Sequence, residues 1–259
     1  MIVIDVGNTN IVIGVYLKKK LSKVLRLNTE KNKKKFKFEF ESFLQSNKRI
    51  LFNSKNKTCV LSSVVPSLNI FIKKIFIKKN FQFYIVNPKK IPIDAKINYN
   101  LNQIGSDRVA NYIAIHNKKI SDCIIIDFGT ATTLDCVNAQ GDYLGGAIAP
   151  GFRISADALF LRTAKLPKVE LEKTESVIGK NTITSMQTGL YWGYVGLVDE
   201  LARRCKSELI TLGEADVVHC VATGGLVRLV GQSCSEIDDI DDYLTLRGLV
   251  LLYERNLSK

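Results

Sequence analysis

Two short stretches of this sequence have the residue types and spacing to hold phosphate. Asp5 follows Ile2-Val3-Ile4 and precedes Gly7-Asn8-Thr9-Asn10, and Asp127 follows Ile124-Ile125-Ile126 and precedes Gly129-Thr130-Ala131-Thr132. An Asp two residues before a Gly, at the end of an apolar run, sets a carboxylate at the mouth of a tight turn whose backbone N–H groups point outward. The Gly allows close backbone approach, the Asn and Thr side chains add neutral donors, and the Asp can bind a magnesium-borne water. One such turn is a common hairpin signal with a purely structural meaning. Two of them, together with Thr223-Gly224-Gly225 after the apolar run Val217 to Ala222, point to a nucleotide site. A glycine pair after a strand can lie flat beneath an adenine, and it reads otherwise as a strand-to-helix turn. Gly105-Ser106-Asp107-Arg108 heads an apolar helical pattern, so from spacing alone Asp107 reads as readily as a helix N-cap as it does a reactive carboxylate.

The elements that must position these residues alternate. The β-branched residues on both sides of the first turn, through Ile11 to Tyr16, predict a hairpin. Residues 28–48 turn helical toward their end, with Phe36, Phe40, Phe43 and Leu44 on one face. Thr58 to Val65 reads as a strand ending at Pro66, Ser67 to Lys79 as a helix, and Phe81 to Val86 as a further strand. A helix is expected from Ser106 to about Asn117, and then the opening pattern returns. Aligning Asp5 with Asp127, an offset of 122 residues, also aligns Gly7 with Gly129 and the apolar triplet before each Asp. The echo predicts two related halves, although shared turn chemistry could also produce it. Later helices are expected over Ile154 to Ala164, Thr184 to Cys205 and Leu244 to Asn256, with Val217 to Ala222 as a buried strand. The fold class is α/β, built of two related halves facing each other. We divide it into residues 1–117, with the first phosphate hairpin and the substrate motif, and 118–259, with the second hairpin and the adenosine motif.

Composition narrows the class. The chain has 259 residues and is 46% hydrophobic, ample for a buried core. Its apolar runs fall far short of the roughly 20 residues that cross a bilayer, so no membrane span is expected. The stretch Met1-Ile2-Val3-Ile4-Asp5 has neither a basic leader nor a cleavage pattern, and the expected location is the cytoplasm. Six cysteines without Cys-x-x-Cys spacing and only two histidines supply a zinc site or a disulfide framework poorly, and the cysteines read as small core residues. Residues 1–120 hold 24 Lys/Arg against 6 Asp/Glu, a net +18; the remainder hold 13 against 19, a net −6 within the overall +12. A basic half can attract nucleic acid or ATP. The lysines cluster as Lys31-Asn32-Lys33-Lys34-Lys35 and Lys73-Lys74 to Lys78-Lys79 without interleaved surface aromatics, which reads as a solvated surface rather than a nucleic-acid face.

These residues resemble a known family, the type III pantothenate kinases of bacteria, within the superfamily of sugar kinases, actin and Hsp70-type ATPases. The resemblance runs through Asp5 to Asn10, Gly105 to Arg108, Asp127 to Thr133, Gly145 to Gly151, Gly179-Lys180-Asn181-Thr182, Thr223-Gly224-Gly225 and Leu244 to Leu249, in family order and with no departure at a motif position. It implies an α/β fold of two duplicated ribonuclease-H-like (actin-like ATPase) lobes with an ATP cleft between them, and ATP-dependent phosphorylation of pantothenate to 4'-phosphopantothenate, the first step of coenzyme A biosynthesis. By this resemblance Asp107 is the catalytic base. The ATP contacts are Asp5, Val6, Gly7, Asn8, Thr9, Asn10, Ile11, Val12, Thr130, Thr223, Gly224 and Gly225, and the substrate contacts are Tyr99, Gly105, Ser106, Asp107, Arg108 and Thr182. Arg108 would fork onto the pantothenate carboxylate or else make a structural salt bridge. Asp5 would hold Mg2+ through water, and Asp127 a monovalent cation, K+ or NH4+.

The resemblance also implies a homodimer with Thr182 reaching the neighbouring subunit's pantothenate site. Met186, Leu190, Trp192, Tyr194 and Leu197 carry more apolar bulk than one buried stripe needs, which suits an interface, with core packing as the alternative. Two rival functions fit parts of this pattern: another small-molecule kinase of the superfamily, which would not need Gly-Ser-Asp-Arg, and a regulatory nucleic-acid-binding protein on the same fold, which could dispense with Asp107.

Overall fold

In the computed structural model the described residues are 1–30, 32–52, 57–92, 95–119, 122–213 and 217–257. The chain forms two compact units, Met1–Ile93 with Asn100–Ala114 and Leu244–Lys259, and Asp94–Tyr99 with Ile115–Tyr243. Where the sequence reading placed a single cut after residue 117, these units interleave, because the closing helix returns to the first.

The first unit is built on β1 (Ile2–Val6), β2 (Asn10–Leu17), β3 (Lys20–Asn28), β4 (Thr58–Ser63) and β5 (Gln82–Ile85), in the sheet order β3-β2-β1-β4-β5. β1 pairs antiparallel with β2 and parallel with β4. Its helices are α1 (Lys33–Ser46), the short α2 (Lys48–Phe52), α3 (Pro66–Lys78), most of α4 (Ser106–Lys118) and α8 (Leu244–Leu257). α1 buries Phe36, Phe40 and Leu44 at a spacing of four, and α3 buries Leu68, Ile72 and Phe76 at the same spacing, as a one-faced helix on a sheet requires. Asn32 caps α1 by accepting from the N–H groups of Lys34 and Lys35. Pro66 opens α3 at a position where no N–H is needed. Lys34, Lys35, Lys73, Lys74, Lys78 and Lys79 are exposed, in line with a solvated basic surface, and Lys31 lies outside the described residues. β3 had no strand reading in the sequence. Its lysines interrupt the alternation of Leu21, Val24, Leu25 and Leu27, as is common where an edge strand is exposed on one face.

The second unit holds β6 (Cys123–Phe128), β7 (Ala131–Val137), β8 (Tyr143–Pro150), β9 (His219–Thr223) and β10 (Asp239–Ile240), in the order β10-β9-β6-β7-β8. α5 (Phe152–Arg162), α6 (Thr182–Gly213) and α7 (Val227–Val230) complete it. Here β6 pairs antiparallel with β7 and parallel with β9. This is the connectivity of the first sheet with β6 in the place of β1, so the repeated sequence pattern is a repeated topology. The match extends to register: Asp5 stands opposite Ser62 on β4, and Asp127 opposite Thr223 on β9.

α6 overturns part of the interface reading. Leu190 and Tyr194 are buried in this unit's core, Trp192 and Leu197 pack against it, and Met186 is buried, so the surplus bulk serves the unit's own interior. Close to Thr182 in sequence, Val177, Ile178 and Ile183 are large apolar side chains left exposed. Among the described residues no helix is long and apolar enough to cross a membrane.

Candidate active site

In the first unit, Asp5 sits half-buried near the carboxyl end of β1, and the turn behind it closes with Gly7 N–H on the Asn10 carbonyl at 2.9 Å. Thr29 fastens this turn from the end of β3, its N–H on the Thr9 carbonyl at 2.8 Å and its hydroxyl on the Gly7 carbonyl at 2.7 Å. Asn8, Thr9 and Asn10 are thereby held exposed. The side chains of Val6 and Ile11 are buried, so of the expected ATP contacts these two can offer a ligand only backbone.

The substrate motif belongs to the same unit. Ser106 is buried at the start of α4, Asp107 is half-buried in its first turn, and Arg108 is buried. The Asp107 carboxylate accepts from the Arg108 N–H at 2.8 Å, curling back over Gly105. A Cβ on Gly105 would lie 2.3 Å from Asp107 Oδ1, so this rotamer requires the glycine. Ser62 then joins the two motifs. Its hydroxyl donates to Asp5 Oδ1 at 2.8 Å and lies 3.0 Å from Ser106 Oγ, while Ser106 Oγ accepts from the Ser63 N–H at 3.1 Å. Asp5 and Ser106, the residue before Asp107, are thus joined by Ser62, which the sequence pattern does not single out. The available signal was a hydroxyl at the carboxyl end of a second apolar strand, Cys59-Val60-Leu61.

In the second unit the second hairpin and the glycine pair converge. Gly224 has φ +102°, and a Cβ there would fall 2.5 Å from Asp127 Oδ1 and 2.6 Å from the Phe128 nitrogen. Thr223 is buried beside Asp127, whereas Gly225 is exposed with open space around its α-carbon. Thr130 is half-buried, and Gly151 packs on its backbone so closely that a Cβ would meet the Thr130 carbonyl at 2.1 Å. Tyr99 also belongs to this unit. Its ring meets Tyr143 edge-on at 5.9 Å, and the Tyr143 hydroxyl donates to buried Asp135. Thr182 is the exposed first residue of α6. The helix start is fixed by a reciprocal cap in which Thr184 N–H donates to Asn181 Oδ1 at 2.9 Å and Asn181 N–H to Thr184 Oγ1 at 3.2 Å.

Each unit therefore carries one strand-end carboxylate beside a tight glycine turn, and the first adds an Asp–Arg pair at a helix start. Residues 1–204 match the sequence profile of the type III pantothenate kinases. A type III pantothenate kinase of Geotalea uraniireducens is 43% identical, with 99% of this chain and 98% of the relative aligned. Another from Geobacter sulfurreducens is 40% identical over 99% of both. Among solved structures, the ethanolamine utilization protein EutJ from Carboxydothermus hydrogenoformans aligns with a TM-score of 0.55 at 14% identity, covering 97% of this chain and 89% of that one. The activator of 2-hydroxyisocaproyl-CoA dehydratase from Clostridium difficile, with bound ADPNP, aligns at 0.50 and 12% identity, covering 100% and 97%. These likenesses show a shared fold, in keeping with the α/β class and the repeated halves expected from the sequence.

Proposed function

The chain belongs to the type III pantothenate kinase family, and we infer that it transfers the γ-phosphate of ATP to pantothenate, giving 4'-phosphopantothenate in the first step of coenzyme A biosynthesis. The observation that carries the chemistry is the Asp107 carboxylate, held half-buried at the start of α4 beside buried Arg108 and next in sequence to Ser106, which Ser62 links to Asp5.

In this reading Asp107 takes the proton from the substrate hydroxyl. Phosphoryl transfer passes through a loose transition state, so late proton removal and positioning suffice and strong basicity is not needed. Arg108 pairs with the pantothenate carboxylate through its planar fork. Tyr99 contributes a contact whose ring is steadied by Tyr143. The exposed donors Asn8, Thr9 and Asn10 meet the phosphates, with Thr130, Thr223, Gly224 and Gly225 on the nucleotide as well.

Beside ATP, we assign Mg2+ to Asp5 through water and a monovalent cation, K+ or NH4+, to Asp127. Each carboxylate is a half-buried hard oxygen donor at a strand end, which suits such ions. Among the described residues no group of three or more His, Cys, Asp or Glu could cage a metal, so each ion would complete its shell with water, backbone and phosphate oxygens. When bound, these ions lower the repulsion among the phosphates.

We further assign a homodimer in which Thr182 serves the second copy's substrate site. This is supported by the exposure of Val177, Ile178 and Ile183 at 64%, 79% and 50% around it. The proposed location is the cytoplasm, in keeping with six free cysteines. Neither rival is favoured: the relatives aligned over nearly the whole chain carry the kinase name, and Asp5, Asp107 and Asp127 are all retained. The decisive experiment is a pantothenate-dependent ADP-release assay with magnesium, run with potassium and with sodium at equal ionic strength. Release that depends on pantothenate and falls sharply in sodium is expected. Release indifferent to pantothenate overturns the reaction, and equal rates in both salts overturn the cation site.

A further inference from the structure

We propose that Ser62 is a positioning residue that couples nucleotide binding at Asp5 to placement of the base Asp107, an inference that rests on the pantothenate kinase reading. Ser62 is fully buried and Ser106 is 5% exposed. Two buried hydroxyls cost stability unless each is satisfied, and here they satisfy each other within a chain that starts at a backbone amide and ends on a carboxylate.

The direction of that chain is fixed by counting protons. A serine hydroxyl has one proton to donate, and that of Ser62 goes to Asp5 Oδ1 at 2.8 Å. The 3.0 Å contact between Ser62 and Ser106 must then be donated by Ser106, whose oxygen in turn accepts from the Ser63 N–H at 3.1 Å. The order is Ser63 N–H to Ser106, Ser106 to Ser62, and Ser62 to Asp5. Every hydroxyl proton points toward the Asp5 carboxylate, and in a buried setting such bonds polarise one another. A change in the charge facing Asp5, or in its rotamer, is therefore felt at Ser106, the residue next to Asp107. The strand register gives the same place to Thr223 opposite Asp127, so a hydroxyl residue beside the strand-end Asp occurs in both repeats. Only in the first repeat does the neighbouring motif carry the base.

The role predicts a linkage that a merely structural serine would not produce. Pantothenate affinity is measured by calorimetry on the full-length protein, alone and with magnesium and a non-hydrolysable ATP analogue. In the wild type the nucleotide tightens pantothenate binding. In Ser62→Ala the affinity without nucleotide is unchanged, the tightening falls to within about twofold of none, and kcat drops roughly tenfold, the scale of one lost buried hydrogen bond. Ser62→Cys, nearly isosteric with a weaker donor, gives an intermediate tightening and serves as the test if the alanine variant does not fold. A folded Ser62→Ala enzyme that keeps the wild-type tightening and kcat overturns the proposal, as does a wild type in which both ligands bind with no mutual effect. A wild type that binds no pantothenate at all instead overturns the underlying functional reading.

Discussion

Gly248 on α8 lies against the backbone of Ala110 on α4, so that a Cβ on Gly248 would fall 1.8 Å from the Ala110 carbonyl oxygen and 2.4 Å from its carbon. The neighbouring Thr245 hydroxyl donates to Asn111 Oδ1 at 2.8 Å across the same crossing. The helix that carries Asp107 is thereby clamped by the end of the chain. Backbone atoms cannot step aside as a side-chain tip can, so Gly248→Ala is expected to cost at least ~3 kcal/mol, the upper end for overpacking, and to lower kcat in whatever fraction still folds. A thermal midpoint within about 2 °C of wild type would show that the helices can separate without cost.

Gly105→Ala tests the other end of α4 with the opposite expectation. Its Cβ would collide with Asp107 Oδ1 at 2.3 Å and otherwise has only ordinary contact with Val64 at 3.7 Å. The carboxylate can swing away, so the fold survives while the base is displaced. Turnover should fall toward that of Asp107→Asn, which is expected to lose roughly 10²-fold or more. Full activity in a folded Gly105→Ala protein would mean that this rotamer is not the working one, and full activity in Asp107→Asn would remove the base.

Gly224→Ala should act on nucleotide binding. The φ of +102° is strained for any side chain, and the added carbon would press on Asp127 Oδ1 at 2.5 Å and on the Phe128 backbone. A strain of about 1–3 kcal/mol at this turn corresponds to a KM for ATP raised roughly tenfold or more. The KM for pantothenate should change far less, and equal rises in both would assign the damage to general unfolding.

The thiols give a prediction independent of turnover. Burial pushes Cys123 and Cys234 up to about 12 and raises Cys59 and Cys220 as well. Cys205 is half-buried, and a hydrogen bond from Cys136 holds it below the ordinary 9.0, while the Cys136 that donates is raised. The thiolate is the reactive form, so above the lowered value Cys205 alone should react quickly with a disulfide reagent. One fast thiol of the six, abolished by Cys205→Ser, is the expected count; a fast phase that survives this substitution would contradict the assignment.

Much of this was legible in the sequence for physical reasons. Apolar triplets before Asp5 and Asp127 can end only a few kinds of strand, and Phe36, Phe40 and Leu44 can share only a helical face, so the hairpins, the duplication and α1 followed directly. The lysines in β3 masked an edge strand. Ser62 was passed over because its meaning lies in a parallel register with Asp5, 57 residues away. The packing of α8 on α4 was equally hidden, since Gly248 shows no sign in sequence of which backbone it touches. The bulk of Met186, Leu190 and Tyr194 was visible, but whether it faces a core or a partner depends on the rest of the fold.

With the bulk of Met186, Leu190 and Tyr194 buried in its own unit, the dimer reading is tested at Thr182. Thr182 stands exposed at the first position of α6, where the cap between Asn181 and Thr184 holds the helix start without it, so Thr182→Phe should fold normally. If Thr182 reaches a second copy's substrate site, the large ring blocks pantothenate there and the variant is inactive while remaining dimeric. Asp107→Asn is inactive for a different reason, on the chain that owns the site. In a heterodimer of the two, one site receives both changes and the other receives neither, because each chain lends its sound residue to the same site. Co-expression with two affinity tags isolates such heterodimers, and they should regain the activity of one site per dimer. The Val177, Ile178 and Ile183 side chains should also lose solvent exposure in the dimer, readable as slowed hydrogen exchange when protein concentration is raised. Heterodimers as inactive as either parent, or a protein that sediments as a monomer at assay concentration, would rule out the shared site.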